Sequence, residues 1–150
     1  MNLLATVKEC AEITFYCASI AAVVASAWTY RQNSSRERSQ WLYELYKRFW
    51  DEESLQKMRL HIDASGSSFV RREDPALMPG LDNYLNFFEF VAFRWKKKEL
   101  PEKEIDSMFG YFLKQIGEDV NIREYLGKYG YEQLSALLDK LGYSKNYHGD

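Results

Sequence analysis

Glu89 stands between Phe88 and Phe90 in the stretch LDNYLNFFEFVAFRWKKK, where an ionised carboxylate is costly unless it is paired or hydrogen-bonded. Such a group either carries a raised pKa and serves as an acid or base, or holds the structure together. The structural role is favoured: as an ion-pair partner of Arg38, Arg59 or Arg94, or on the residual polar face. No second carboxylate, nucleophile or metal ligand stands at a recognisable spacing from it. His61, flanked by Leu60 and Ile62, and His148 in the tail are the two histidines. With no CxxC pair beside them, a zinc site is not expected, and neither is any other cofactor. Cys10 and Cys17 both precede residue 18, which excludes a disulfide framework from the rest of the chain. No catalytic residue is assigned. A small membrane-bound hydrolase would need Glu89, His61 or an aspartate to converge in one pocket.

The densest cationic patches are Arg71-Arg72 and the group Arg94, Lys96, Lys97 and Lys98. Arginine can grip phosphate with two parallel donors and lysine as a point charge, so these six residues are the candidate ligand-binding set for a phosphate-bearing signal or an anionic headgroup. Lysines at a helix C-terminus also complement the helix dipole without any ligand. Glu73, Asp74 and Glu99 follow closely and temper both patches. Across the chain, 20 Lys+Arg face 22 Asp+Glu, a net charge of −2. That balance argues against a partner as uniformly anionic as duplex nucleic acid.

These residues need a scaffold, and the composition points to helices. Apolar residues make up 46% and charged residues 28%, as in ordinary globular chains, while 16% aromatics can fill a substantial core. Only three prolines and eight glycines leave little punctuation for an all-β fold. Residues 13–30 (ITFYCASIAAVVASAWTY) contain no charge and would cover about 27 Å as a helix, close to a bilayer core. Phe15, Tyr16, Trp28 and Tyr30 sit at its ends as interfacial anchors would. Arg31, Arg36 and Arg38 follow it, so the expected topology is single-pass in the inner membrane, with the N-terminus outside and the C-terminal domain cytoplasmic. A buried core helix and a cleaved signal peptide ending at Ala25-Ser26-Ala27 are the alternatives. Ala18, Ala22 and Ser26 recur every fourth residue, a spacing that lets helices approach closely and makes self-association plausible.

The spacing beyond residue 31 predicts further helices. Ser34 and Glu37 have the form of a capping box for a helix over 35–50 bearing Trp41, Leu42, Leu45, Tyr46 and Phe49, unless that helix runs on unbroken from the preceding segment. Asp51 can cap a helix over 52–63, and residues 63–80 read as a long loop. Residues 81–98 form the aromatic centre, with Leu81, Leu85, Phe88, Ala92 and Trp95 on one face. Pro101 opens a helix over 101–117, whose Gly110 and Gly117 mark close packing. Shorter helices are expected over 121–127 and 131–141, the last stopped by Gly142. The domains are thus an anchor over 1–31, a helical domain over 32–142 and a frayed tail over 143–150.

The pieces SSRERSQWLYELYKRFW, LDNYLNFFEFVAFRW and IREYLGKYGYEQLSALL resemble a group of uncharacterised bacterial single-span membrane proteins with a small helical cytosolic domain. The likeness runs from Ser34 to Leu141 and implies a fold, not an activity. In size and layout the chain is also similar to the small membrane effectors of type III CRISPR systems, which bind cyclic tetra-adenylate; no binding residues transfer on that basis. The expected fold is therefore all-α, one transmembrane helix followed by a five- to six-helix cytosolic bundle. The expected function is a non-enzymatic membrane-anchored sensor or effector that binds an anionic signal or partner and acts through oligomerisation, in an antiviral setting. Its expected partners are membrane lipid, further copies of itself, and a phosphate-bearing nucleotide or a protein. The alternative is a membrane-anchored adaptor or scaffold that docks another protein.

Overall fold

The computed structural model describes residues 3–144; within the first helix the side chains of 3–13, 17, 34 and 35 are outside the description. His148 and the tail beyond Ser144 lie outside the described residues, as do the side chains of Cys10 and Cys17. The described residues form seven helices: α1 (Leu3–Asp51), α2 (Glu53–Ser65), α3 (Ser68–Arg71), α4 (Met78–Lys96), α5 (Glu102–Glu118), α6 (Val120–Tyr129) and α7 (Glu132–Lys140). Two units are distinguished along the chain, Met1–Trp41 and Leu42–Asp150.

In the first unit, every described side chain from Thr14 to Asn33 is exposed. Among the described residues no helix is long and apolar enough to cross a membrane. The expected transmembrane anchor, and with it the span-plus-bundle architecture, is therefore corrected: the described residues are all-helical and hold no such span. The physical reason lies in residue size. Ala18, Ser19, Ala21, Ala22, Ala25, Ser26, Ala27 and Thr29 lack charge but contribute little apolar surface. Ser19, Ser26 and Thr29 even turn their hydroxyls back onto the carbonyls of Phe15, Ala22 and Ala25, at 2.8, 2.8 and 2.9 Å. An uncharged stretch is not necessarily a strongly apolar one.

Helix α1 passes through residues 34–37 without a break, so Ser34 begins no helix and the predicted capping box has no terminus to cap. The unbroken alternative holds. The next break comes at Glu52, which occupies the N-cap position of α2 in place of Asp51 and makes no side-chain capping bond.

The second unit is organised around Phe49, the last core residue of α1. Its ring lies 5.2 Å from that of Phe87, 5.5 Å from Phe88, 5.3 Å from Phe109 and 4.8 Å from Phe112. Most of these pairs are edge-to-face, the arrangement favoured by aromatic quadrupoles. Helix α4 packs against α7 and α2, and α5 against α6 and α7. Leu81, Leu85, Phe88, Val91 and Ala92 are wholly buried, whereas Trp95 is half-buried.

The predicted loop over 63–80 is shorter and more structured than expected. Phe69 and Val70 on the single turn of α3 are buried, and α4 begins at Met78 with Pro79 inside its first turn. Proline is tolerated there because the first-turn N–H has no partner to lose. Gly117 does mark a close approach: a Cβ added to it would stand 2.7 Å from the carbonyl oxygen of Tyr143. Tyr143, assigned to a frayed tail, is instead half-buried against the core, and its hydroxyl donates to Asp106.

Candidate functional site

The candidate cations separate into groups with different surroundings. Arg71 and Arg72 are exposed at the end of α3, and Lys96, Lys97 and Lys98 are exposed at the end of α4. Helix α4 lies between the two patches along the chain, with about 27 Å of axial rise. Arg94 is committed elsewhere: its Nε meets Glu99 Oε2 at 2.6 Å, and its guanidinium lies 5.9 Å from the Phe90 ring. Lys97 Nζ sits 5.5 Å from the Phe93 ring.

The corner between α4 and α5 is built by a tight reversal. Lys97 and Lys98 donate their backbone N–H groups to the carbonyls of Phe93 and Trp95, and the Glu99 N–H reaches Arg94. Lys98 adopts φ +61°, a left-handed conformation for which glycine is the usual solution. Leu100 then drops into the core, and Pro101 turns the chain into α5. A pocket of about 350 Å³ results, lined by Trp95, Lys98, Leu100, Pro101, Glu102 and Lys103. Glu102 Oε1 accepts from Trp95 Nε1 at 3.4 Å and stands 3.8 Å from Lys140 Nζ. Lys103, absent from the sequence-based set, thus joins Lys98 only through the fold; Pro101 between them hid the connection.

A second groove, of about 450 Å³, runs between α2 and the start of α4 and includes Glu53, Lys57, Met58, His61 and Leu77. The His61 ring lies edge-on to Phe69 at 5.0 Å, a packing role. On α1 a shallow groove of about 530 Å³ is bordered by Ile20, Ala21, Val24, Ala25 and Trp28. The stripe Ala18, Ala22 and Ser26 is likewise exposed.

Glu89 has a structural explanation of a different kind from the expected ion pair. Its carboxylate accepts the backbone N–H groups of Gln133 at 3.1 Å and Leu134 at 2.7 Å. It thereby satisfies two orphan donors at the start of α7, whose own N-cap residue Tyr131 makes no capping bond. Two arginines considered as its partners are engaged elsewhere, Arg94 with Glu99 and Arg59 with the end of α1.

Arg59 was not singled out in sequence except as that partner. Its side chain is buried, donates through Nη1 to the Phe49 carbonyl, and lies 4.4 and 4.3 Å from the rings of Phe49 and Trp50. A guanidinium suits this position, since it can close a helix C-terminus while stacking on aromatic faces. Desolvation lowers its pKa from the ordinary value.

Three carboxylate-centred networks complete the polar interior. Asp82 accepts from Tyr125 and Tyr131 at 2.5 and 3.2 Å, and both phenols are pushed up chiefly by burial, with Asp82 adding to the shift. Asp119 accepts from the buried Ser67 at 2.5 Å and from the Ile122 N–H at 3.1 Å, capping α6. Glu52 is held at about 2 by hydrogen bonds from Arg48, Asn83 and Ser54. Among the described residues, no three His, Cys, Asp or Glu side chains gather in a way that could hold a metal ion. Comparison with known families, curated proteins and solved structures returns no match to this chain.

Proposed function

We propose that this protein is a non-enzymatic binding module that works by assembly. The unit formed by residues 42–150 takes an anionic signal or partner, and the apolar stretch of α1 pairs with the same stretch of a second copy. One observation carries this reading. Phe15, Tyr16, Ile20, Val23, Val24, Trp28 and Tyr30 are each between 61% and 79% exposed on a single helical segment. Large apolar side chains left exposed over several turns are unfavourable in water unless something covers them. Ala21 and Ala25, set among Ile20, Val24 and Trp28, leave a groove that large side chains of a second helix fit.

Light scattering on the full chain after size exclusion tests this. The expected result is a dimer or larger species, and the double substitution I20E/V24E is expected to return it to a monomer with the second unit still folded. A wild-type monomer at every concentration examined overturns the proposal. A second reading, docking of another protein, draws on Phe90 and Phe93, which are 38% and 43% exposed beside Lys97. Capture of one stoichiometric partner, lost in F90A/F93A and kept in I20E/V24E, would favour it over self-assembly.

A further inference from the structure

We propose that the pocket at the α4–α5 corner binds a nucleotide-class ligand, a flat ring system carrying two or more phosphates. This deepens the reading above and rests on the second unit being a binder rather than a catalyst. The pocket is a shallow, open depression of about 350 Å³ on the protein surface, able to hold a ligand laid along it. Trp95 and Pro101, both half-buried, give it an apolar side against which a flat ring can lie, with Leu100 buried beneath them. Lys98 and Lys103 line the same space, and among the described residues neither ammonium has a carboxylate partner.

Two acids at this corner, Glu99 and the pocket-lining Glu102, have partners other than these lysines. Glu99 is engaged by Arg94 at 2.6 Å, and Glu102 faces both Lys140 and the Trp95 indole. Lys96 and Lys97 continue the positive surface on the adjoining turn. In a chain of net charge −2, this corner is a local cationic excess with an aromatic wall. Two ammonium groups lining one pocket attract an oligoanion placed between them. Lysine, as a compact point charge, suits phosphate without demanding a fixed bidentate geometry. The apolar side then asks for a ring in addition to the charge, which separates a nucleotide from a bare polyphosphate.

Calorimetric titration of the full chain with ATP, inorganic triphosphate and adenosine tests the assignment. ATP is expected to bind saturably, one per chain, with triphosphate and adenosine each weaker by about tenfold or more. K98A/K103A is expected to weaken ATP by about tenfold or more, and K57A, on α2, to leave it unchanged. Both lysines are exposed, so the double variant is expected to melt with the wild type. The Trp95 indole N–H resonance, assigned with W95F, must also shift on ATP addition, a reading that needs no lysine variant. Absence of saturable ATP binding, equal affinity for triphosphate, an unmoved Trp95 resonance, or full ATP affinity in K98A/K103A each overturns the proposal. Release of phosphate from bound ATP would overturn the non-enzymatic reading while leaving the pocket assignment standing. Loss of the pocket, conversely, leaves the light-scattering test of assembly untouched.

Discussion

Helix α1 carries apolar residues into two opposite circumstances. Val23 and Val24 are 69% and 61% exposed, whereas Phe49, on the same uninterrupted backbone ladder, is wholly buried. Both stretches belong to one continuous α-helix, so secondary structure does not distinguish them. What differs is the company: four phenylalanine rings converge on Phe49, and nothing described covers Val23. Hydrophobicity therefore supplies a demand for burial, and only a partner surface turns that demand into stability.

Substitutions at the two ends of this contrast should separate most widely. Phe49→Ala empties the centre of the ring cluster and is expected to cost about 3–5 kcal/mol in chemical denaturation, against under about 0.5 kcal/mol for Val23→Ala in a monomeric background. A similar loss at both positions would mean that the first unit is covered after all. Next in size is Glu89→Ala, which leaves two amides at the start of α7 without their acceptor. A loss of about 1–2 kcal/mol is expected, with faster hydrogen exchange at Gln133 and Leu134. Arg59→Lys keeps the charge but removes the planar surface over Phe49 and Trp50, and is expected to cost about 1 kcal/mol by thermal melting.

The smallest effect is the acid sensitivity of Glu52. Its carboxyl lies at about 2 in the folded chain against an ordinary 4.5. Its contribution is therefore present above pH 4.5 and is lost as the pH falls from there toward 2. Because the group is partly solvated, the amount is expected to be under about 1 kcal/mol, and Glu52→Gln should flatten that portion of the stability–pH curve. An unchanged acid limb in the variant would place the acid sensitivity at other carboxylates.

The regular faces were readable from spacing. Leu81, Leu85, Phe88 and Ala92 on α4 follow the helical period and are buried, as are Leu45 and Phe49 on α1, whereas Trp41 and Tyr46, on the same expected face, are exposed. Local signals near Pro101, Gly117 and Gly142 were also legible, since each concerns a few adjacent residues. The transmembrane helix expected over residues 13–30 does not hold among the described residues: an uncharged stretch rich in Ala, Ser and Thr is not long and apolar enough to span. The polar partners were hidden for another reason. Glu89 meets amides 44 and 45 residues away, and Ser67 meets a carboxylate 52 residues away, so neither bond leaves a local trace.

The amino-acid order by itself determined that this chain is helical and which face of each helix seeks burial, because both follow from period and propensity over a few turns. Tertiary structure decided the rest. It turned Glu89 into a cap for a distant helix, set Arg59 against the end of α1, and brought Lys103 beside Lys98 and Trp95 at one corner. A charged side chain can find its partner anywhere along the chain, and only packing selects which one it meets.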